Sequence, residues 1–192
     1  MSERLIVDDS VSENELGIVA YARHWPFLKL GKPPESPTVF ESYKAAPDTT
    51  VTLVEDPIIG LRYIVVSGPN AAVATGHIRR TIKLVSRDAI LAQANDAAGF
   101  DAESQAGRRL LAVAGESFDP HVFALLDRKF FSNPDPRIRA DMIKCFSYAG
   151  WKELRPLIER LAASDSHPDV KAFARTALAA WDAESVAKSP NS

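Results

Sequence analysis

The sequence lacks the features that mark a secreted, membrane-bound or disulfide-stabilised protein. It has 192 residues but only one cysteine, Cys145, so no intramolecular disulfide can form, and such a chain suits a reducing compartment. No apolar run approaches the roughly 18 residues that a membrane-spanning helix needs, and the first residues do not include the apolar stretch of a signal peptide. We therefore expect a soluble protein of the cytoplasm that does not bind membranes.

The sequence also lacks an excess of charge of either sign. Lysine and arginine number 23 and aspartate and glutamate 25, which leaves a net charge of −2. A strongly basic chain would point to nucleic acid as a partner, and a strongly acidic one to a mimic of DNA. Neither applies, so we expect no binding of nucleic acid.

Residue groupings typical of enzymes are few. The adjacent carboxylates Asp8–Asp9 and Glu55–Asp56 point apart on a strand or a helix, so neither pair forms an obvious catalytic dyad. Cys145 lies among apolar residues and is expected to be buried and unreactive. We assign no catalytic residue, metal or cofactor, and we favour a protein that is not an enzyme. The histidines, none of which has a close histidine or cysteine partner, are His24, His77, His121 and His167.

The first half of the chain, through Gly99, mixes signals for helices and strands. A capping pattern at Ser12 opens a short helix that ends near residue 22. Two β-branched segments, residues 51–54 and 61–66, flank a turn and predict a hairpin, and an apolar stripe predicts one helix over residues 71–94. The turn at residues 67–70 has one glycine and no phosphate-binding lysine, so a structural turn is favoured over a phosphate site. We expect a mixed α/β region over residues 1–99.

The second half has no strand signal. Proline opens a predicted helix at Asp119–Pro120, at Asp135–Pro136 and at His167–Pro168, where its missing N–H costs nothing. Gly115 and Gly150 mark predicted helix ends. Helices of about 11 to 15 residues joined by short loops should pack antiparallel over residues 100–183. Residues 184–192 are small and polar, which indicates a flexible tail.

An internal repeat organises this half. Pro136 and Pro168 lie 32 residues apart, and similar residues follow each of them. The helix before each proline matches as well, because residues 125–128 (Leu-Leu-Asp-Arg) align with residues 157–160 (Leu-Ile-Glu-Arg) at the same offset. Two helices per period indicate stacked helical hairpins.

The two proline-led segments, Asp-Pro-Arg-Ile-Arg-Ala at residues 135–140 and His-Pro-Asp-Val-Lys-Ala at residues 167–172, resemble the first helix of a short HEAT repeat of the phycobilisome-lyase type. Residues 151–163 look like the second helix. Lys171 departs from the usual arginine, and the segment after Pro120 is degenerate. The resemblance implies a mainly α fold with a HEAT-like α-α superhelix of about two and a half repeats, preceded by the mixed region. It implies little about function, because such repeats occur in scaffolds, lyases, glycosylases and inhibitors.

We expect a non-enzymatic protein-binding module, for example a cognate inhibitor or immunity protein. The alternatives are a HEAT-like enzyme, such as a DNA-repair glycosylase or a chromophore lyase, and a sensor of a small ligand. Trp25, Phe27 and Trp151 are possible aromatic anchors, although core packing is the more common role of such residues. Charged residues on the repeated helices and on the helix at 71–94 could bind a partner or only pair with each other. These candidates are Asp127, Arg128, Arg155, Glu159, Arg160, Arg79, Lys83 and Arg87.

Overall fold

The computed structural model describes residues 2–33, 36–114 and 118–188. The chain divides into two compact units, Met1–Ala92 and Gln93–Ser192. The sequence predicts this division at residue 99, and helix α3 (Arg87–Asp96) crosses the observed boundary. Each unit is described by itself.

The first unit contains a five-stranded antiparallel sheet with the strand order β1-β5-β4-β3-β2. Because β1 and β5 lie side by side, the first strand closes onto the last, and β2 forms the opposite edge. The strands are β1 (Ser2–Ile6), β2 (Phe27–Gly31), β3 (Val39–Ala46), β4 (Thr49–Asp56) and β5 (Leu61–Ser67).

Alternation of side chains places one face of this sheet in the core. Val51 and Leu53 of β4 are buried beside Val66 and Ile64 of β5, their register partners. Residues two apart on a strand share a face, so the period-two pattern of these strands puts their largest apolar side chains on one side. The predicted hairpin is therefore confirmed, with longer strands than the sequence indicates.

Two helices belong to the same unit. Helix α1 (Glu15–Ala22) buries Leu16, Val19 and Ala20, and helix α2 (Ala71–Thr81) buries Ile78 among others. The helix predicted to end near residue 22 is confirmed, but its capping pattern is not formed, because the N-cap is Asn14 and makes no side-chain bond.

The helix predicted over residues 71–94 is interrupted. Helix α2 ends at Thr81, and Ile82 is extended. The next residues pair with the end of β1: the amide of Val85 donates to the Ile6 carbonyl over 3.0 Å, and Leu84 forms a bridge with Val7. The chain then resumes as α3 at Arg87. The prediction of one continuous helix is wrong, because pairing of residues 84 and 85 with the end of β1 outweighs the local helix propensity.

The described part of the second unit contains helices and no strand. Prolines at positions 120, 136 and 168 open helices as predicted, and the side chain of Asp119 accepts from two first-turn amides. Gly150 follows a helix end with a φ of +66°, a conformation that favours glycine. Gly115, the other predicted end, lies outside the described residues. The helices are α4 (Ala102–Ala114), α5 (Pro120–Leu125), α6 (Pro136–Ala149), α7 (Arg155–Ser164) and α8 (Pro168–Lys188).

The prediction of a mainly α protein with a HEAT-like superhelix is wrong. A five-stranded sheet builds the first unit, so the chain is mixed α/β. The helices of the second unit are also irregular. Helix α5 has six residues and continues as a π-helical turn over Leu126–Phe131, while α8 runs for 21 residues. The predicted tail is helical through Lys188, and residues 189–192 lie outside the described part. Helices α4 and α6 have the predicted length of 11 to 15 residues, but α5, α7 and α8 do not.

No helix in the described part of the chain combines the length and the apolar character needed to cross a bilayer.

Candidate interaction surface

Helix α1 approaches strand β3 closely at Gly17. A Cβ atom at this position would lie 3.2 Å from the hydroxyl oxygen of Tyr43, which is tighter than most real contacts. Tyr43 belongs to the buried core that α1 covers. Because Gly17 has no side chain, helix α1 can pack closely against the sheet at Tyr43.

Phe27 packs on the same tyrosine from the neighbouring strand. The two rings meet edge to face with centroids 5.7 Å apart, and Phe27 is opposite Tyr43 in the strand register. Residues directly opposite on antiparallel strands share a sheet face. Tyr43 is therefore covered by α1 and packed from the side by Phe27. The exposed side of Phe27 consequently lies beside the helix.

Large exposed apolar side chains concentrate in this region. Eight such residues stand out among the described residues, and five of them lie between positions 18 and 30. Tyr21 has 87% of its surface exposed and Leu30 has 67%. Single exposed apolar residues are common on proteins, but a local concentration marks an interaction site. We name the group the N-terminal apolar surface; it consists of Ile18, Tyr21, Phe27, Leu28 and Leu30.

Strand β2 is protected against pairing with another strand. It has five residues, it pairs only with β3 among the described strands, and its register shifts between Phe27 and Lys29, so Leu28 is bulged. Pro26 precedes the strand and Pro33 follows it closely. Short length, a bulge, an exposed lysine and flanking prolines are the devices that proteins use to prevent edge-to-edge association.

Three basic residues lie near the N-terminal apolar surface. Arg23, Lys29 and Lys32 are exposed, and none of them has a carboxylate partner among the described residues. The ammonium of Lys29 lies over the ring of Phe40, 5.1 Å from its centroid. The acidic Glu41 lies on the strand next to β2, where burial and the nearby charge of Glu55 raise its pKa above the usual value. Arg23 and Lys32 make the rim of the surface positive, whereas Lys29 lies with Phe40 on the opposite face of the sheet.

The basic row predicted at Arg79, Lys83 and Arg87 does not lie on one helix, because α2 ends at Thr81 and α3 begins only at Arg87. Arg79 forms an ion pair of 2.8 Å with Glu3, and Lys83 one of 3.1 Å with Asp8. Hydrogen bonds from Ser10 and Lys83 lower the pKa of Asp8 to about 2.

The other predicted partner-binding residues lie in the second unit, where each forms a hydrogen bond or an ion pair within that unit. Arg160 donates to Asp127 over 2.7 Å, which links the two repeated acid–base positions. Arg155 contacts Glu159 at 2.8 Å and Asp182 at 2.6 Å. Most of these side chains are partly exposed, so their role in binding stays a prediction. Arg128, the last of the predicted set, donates to the carbonyl oxygen of Ala124.

The three aromatic candidates separate clearly. Trp25 and Trp151 are buried and serve the cores of their units, whereas Phe27 has 57% of its surface exposed. Core packing is therefore confirmed for the two tryptophans and is wrong for Phe27.

Chemically reactive groups are not gathered into a site. Within the described residues, no three histidine, cysteine, aspartate or glutamate side chains come together in a way that could hold a metal ion. Cys145 is buried as predicted, and burial raises the pKa of its thiol to about 12. A cleft of about 300 Å³ between α6 and α8 has an apolar floor that includes Val170 and Phe173.

Four members of the N-terminal apolar surface were missed by the sequence interpretation. Tyr21 and Ile18 belong to a helix that is apolar on every side, and Leu28 and Leu30 to a short apolar segment between prolines. Both patterns could have indicated exposed apolar residues, since a helix of a surface layer normally has a polar side.

A comparison with models of known families, with curated proteins and with solved structures finds no match to the chain. The resemblance of the proline-led segments to HEAT repeats therefore stays a prediction.

Proposed function

We propose that this protein is a non-enzymatic protein-binding module that docks a partner on the N-terminal apolar surface. The observation that carries the proposal is the concentration of five of the eight large exposed apolar side chains between residues 18 and 30. Water contact with so much apolar surface is unfavourable, and covering it releases roughly 25 cal/mol for each Å² buried. A partner protein can cover several of these side chains at once.

The packing beneath the surface supports this proposal. Tyr43 is buried between α1 and Phe27, so these elements are held in place before any partner arrives. A rigid surface loses little conformational freedom on binding, and this favours affinity. Aromatic residues such as Tyr21 and Phe27 are also the types that contribute most to binding energy at interfaces.

A capture experiment in the source cells tests the proposal. The tagged full-length protein should retain a stoichiometric partner, and the double variant Tyr21→Lys, Leu30→Glu should lose it. Ile58→Lys is the matched control, because Ile58 has 52% of its surface exposed in the β4–β5 turn of the same unit. Equal retention by both variants, or no partner at all, would count against the proposal. Far-ultraviolet circular dichroism should show that both variants remain folded.

Neutralisation of a toxin or an enzyme is one specific form of this function. The identity of the captured protein tests it, because an inhibitor of this kind should abolish the activity of its partner in a purified assay. We also propose a cytoplasmic location, which the single cysteine supports. Cell fractionation that finds the protein outside the cytoplasm would contradict it.

A further inference from the structure

The N-terminal apolar surface occupies the part of the sheet that the helices leave uncovered. Helix α2 contacts β1, β5 and β4, and α1 lies next to α2 and over Tyr43 of β3. Strands are spaced about 4.8 Å apart, whereas helices packed side by side need about 10 Å each. Two helices therefore cover about four strands, and no helix among the described residues of the first unit lies above the face of β2.

The side chains on that face are apolar. Phe27 is opposite Tyr43 and Leu30 is opposite Glu41, so both lie on the face that α1 and α2 cover elsewhere. Lys29 is opposite Ser42 and lies on the other face. A third helix laid beside α1 would complete the layer and contact Phe27, Leu30 and Tyr21 together.

A partner could instead bind by adding a strand to the edge of β2, but the structure of β2 opposes this mode of binding. An added strand needs several consecutive free backbone groups, but the bulge at Leu28 breaks their spacing and the strand has only five residues. The exposed Lys29 and the flanking Pro26 and Pro33 add to this. Side-chain contact on the face is therefore favoured over main-chain pairing at the edge.

The charges define the partner further. Arg23 and Lys32 lie beside the apolar residues and have no ion-pair partner among the described residues, whereas Lys29 lies on the other face of the sheet. Carboxylates on the partner would complement them and steer its approach. The floor of the surface contains Glu41, which would repel a carboxylate directly above it, so the acidic residues of the partner should lie at the rim.

Resting on the proposed function, we propose that the docked segment is an amphipathic α-helix of a partner protein, with apolar residues on one side and acidic residues beside them. It packs next to α1 across the face of β2. Its apolar positions follow the i, i+3, i+4, i+7 spacing of a helix that lies in a groove.

Photo-crosslinking in the source cells tests this partner class. The full-length protein carries p-benzoylphenylalanine in place of Phe27, and the control protein carries it in place of Ile58. Mass spectrometry then identifies the partner segment joined to position 27. We expect a segment with helical apolar spacing and flanking acidic residues, and no adduct of the same segment at position 58.

Binding of the identified segment, made as a synthetic peptide, provides the second measurement. Arg23→Glu combined with Lys32→Glu should weaken its binding to the full-length protein by about tenfold, since two ion pairs become repulsive contacts. Replacement of the acidic residues of the peptide by lysine should restore binding to this variant and weaken binding to the natural protein.

The outcomes separate the two proposals. A captured segment with apolar residues at every second position, a basic segment, or a second copy of this chain would overturn the helix inference and leave the proposed function standing. An unchanged affinity after the charge reversal would overturn it as well. The absence of any ultraviolet-dependent adduct at position 27 would instead contradict the proposed function.

Discussion

Arg139 and Asp165 form a bidentate ion pair inside the second unit. Nε and Nη2 of Arg139 donate to the two carboxylate oxygens over 2.6 and 2.7 Å, and both side chains are almost fully buried. Nη1 donates to the carbonyl oxygens of Asn133 and Pro134, and the Asp165 carboxylate also accepts the amide of His167. The pair joins α6, and the segment before it, to the segment between α7 and α8.

Substitution of Asp165 should destabilise the protein strongly. Asp165→Asn leaves the Arg139 guanidinium buried without a counter-charge, so the free energy of unfolding should fall by about 3 to 5 kcal/mol. Urea denaturation measures this loss. Asp182→Asn is the control, because its ion pair with Arg155 is exposed, and it should cost less than about 1 kcal/mol. Equal effects of the two substitutions would contradict the assignment.

The same pair predicts how stability depends on pH. Hydrogen bonds from Arg139 lower the pKa of Asp165 below its ordinary value of 3.8, which the unfolded chain retains. The stabilisation is therefore complete above pH 3.8 and is lost as the pH falls through the lower pKa of the folded state. The difference in unfolding free energy between the natural protein and Asp165→Asn should be constant near neutral pH and should shrink in acid. Urea titrations across this range measure it, and a difference that grows in acid would refute the prediction.

Gly68 should tolerate no side chain. Its φ is +126°, and a Cβ atom there would overlap the carbonyl oxygen of Asp48 in the β3–β4 turn. Gly68→Ala should therefore lower the free energy of unfolding by about 2 kcal/mol or more. Gly60→Ala is the matched control, since Gly60 also has a positive φ but has open space around it. Thermal denaturation of both variants should show the larger loss at Gly68.

The thiol of Cys145 should react only after unfolding. It is buried, and its pKa of about 12 leaves almost no thiolate at neutral pH. Labelling with a chromogenic disulfide reagent should be slow in buffer and should accelerate with urea in parallel with unfolding. Fast labelling of the native protein would show that the site opens locally.

The parts of the fold with strong local signals could be predicted from the sequence. Proline after aspartate gives a preset backbone angle and a capping carboxylate together, and helices begin at Pro120 and Pro136 accordingly. The β4–β5 hairpin is equally local, because β-branched residues flank a short turn.

Elements that depend on distant partners could not be predicted. Residues 83–85 have helical spacing with their neighbours but pair with the end of β1. Strand β2 lacks alternation and contains Gly31, and it forms because β3 supplies hydrogen bonds and because the ring of Phe40 lies on that glycine. Strand β1 likewise depends on β5, which comes much later in the chain.

The candidate surface was only partly accessible to prediction for a related reason. Exposure of Phe27 depends on the position of β2 at the edge of the sheet, and strand order is a property of the whole fold. The charged candidates were easier to recognise as a pattern, and the structure pairs Asp127 with Arg160 across the repeat.

The contact between Asp8 and Lys83 has a consequence for synthesis on the ribosome. The two residues are separated by 75 positions, and the neighbouring Val7 and Leu84 form the adjacent bridge. Strand β1 leaves the ribosome first but finds its partners only after β5 and residues 83–85 have emerged. Strands β2 to β4 can pair earlier because they are consecutive hairpins. A nascent chain that stops before β5 therefore exposes one edge of β4 and all of β1, and such unpaired strands make a folding intermediate prone to aggregation until the late closure.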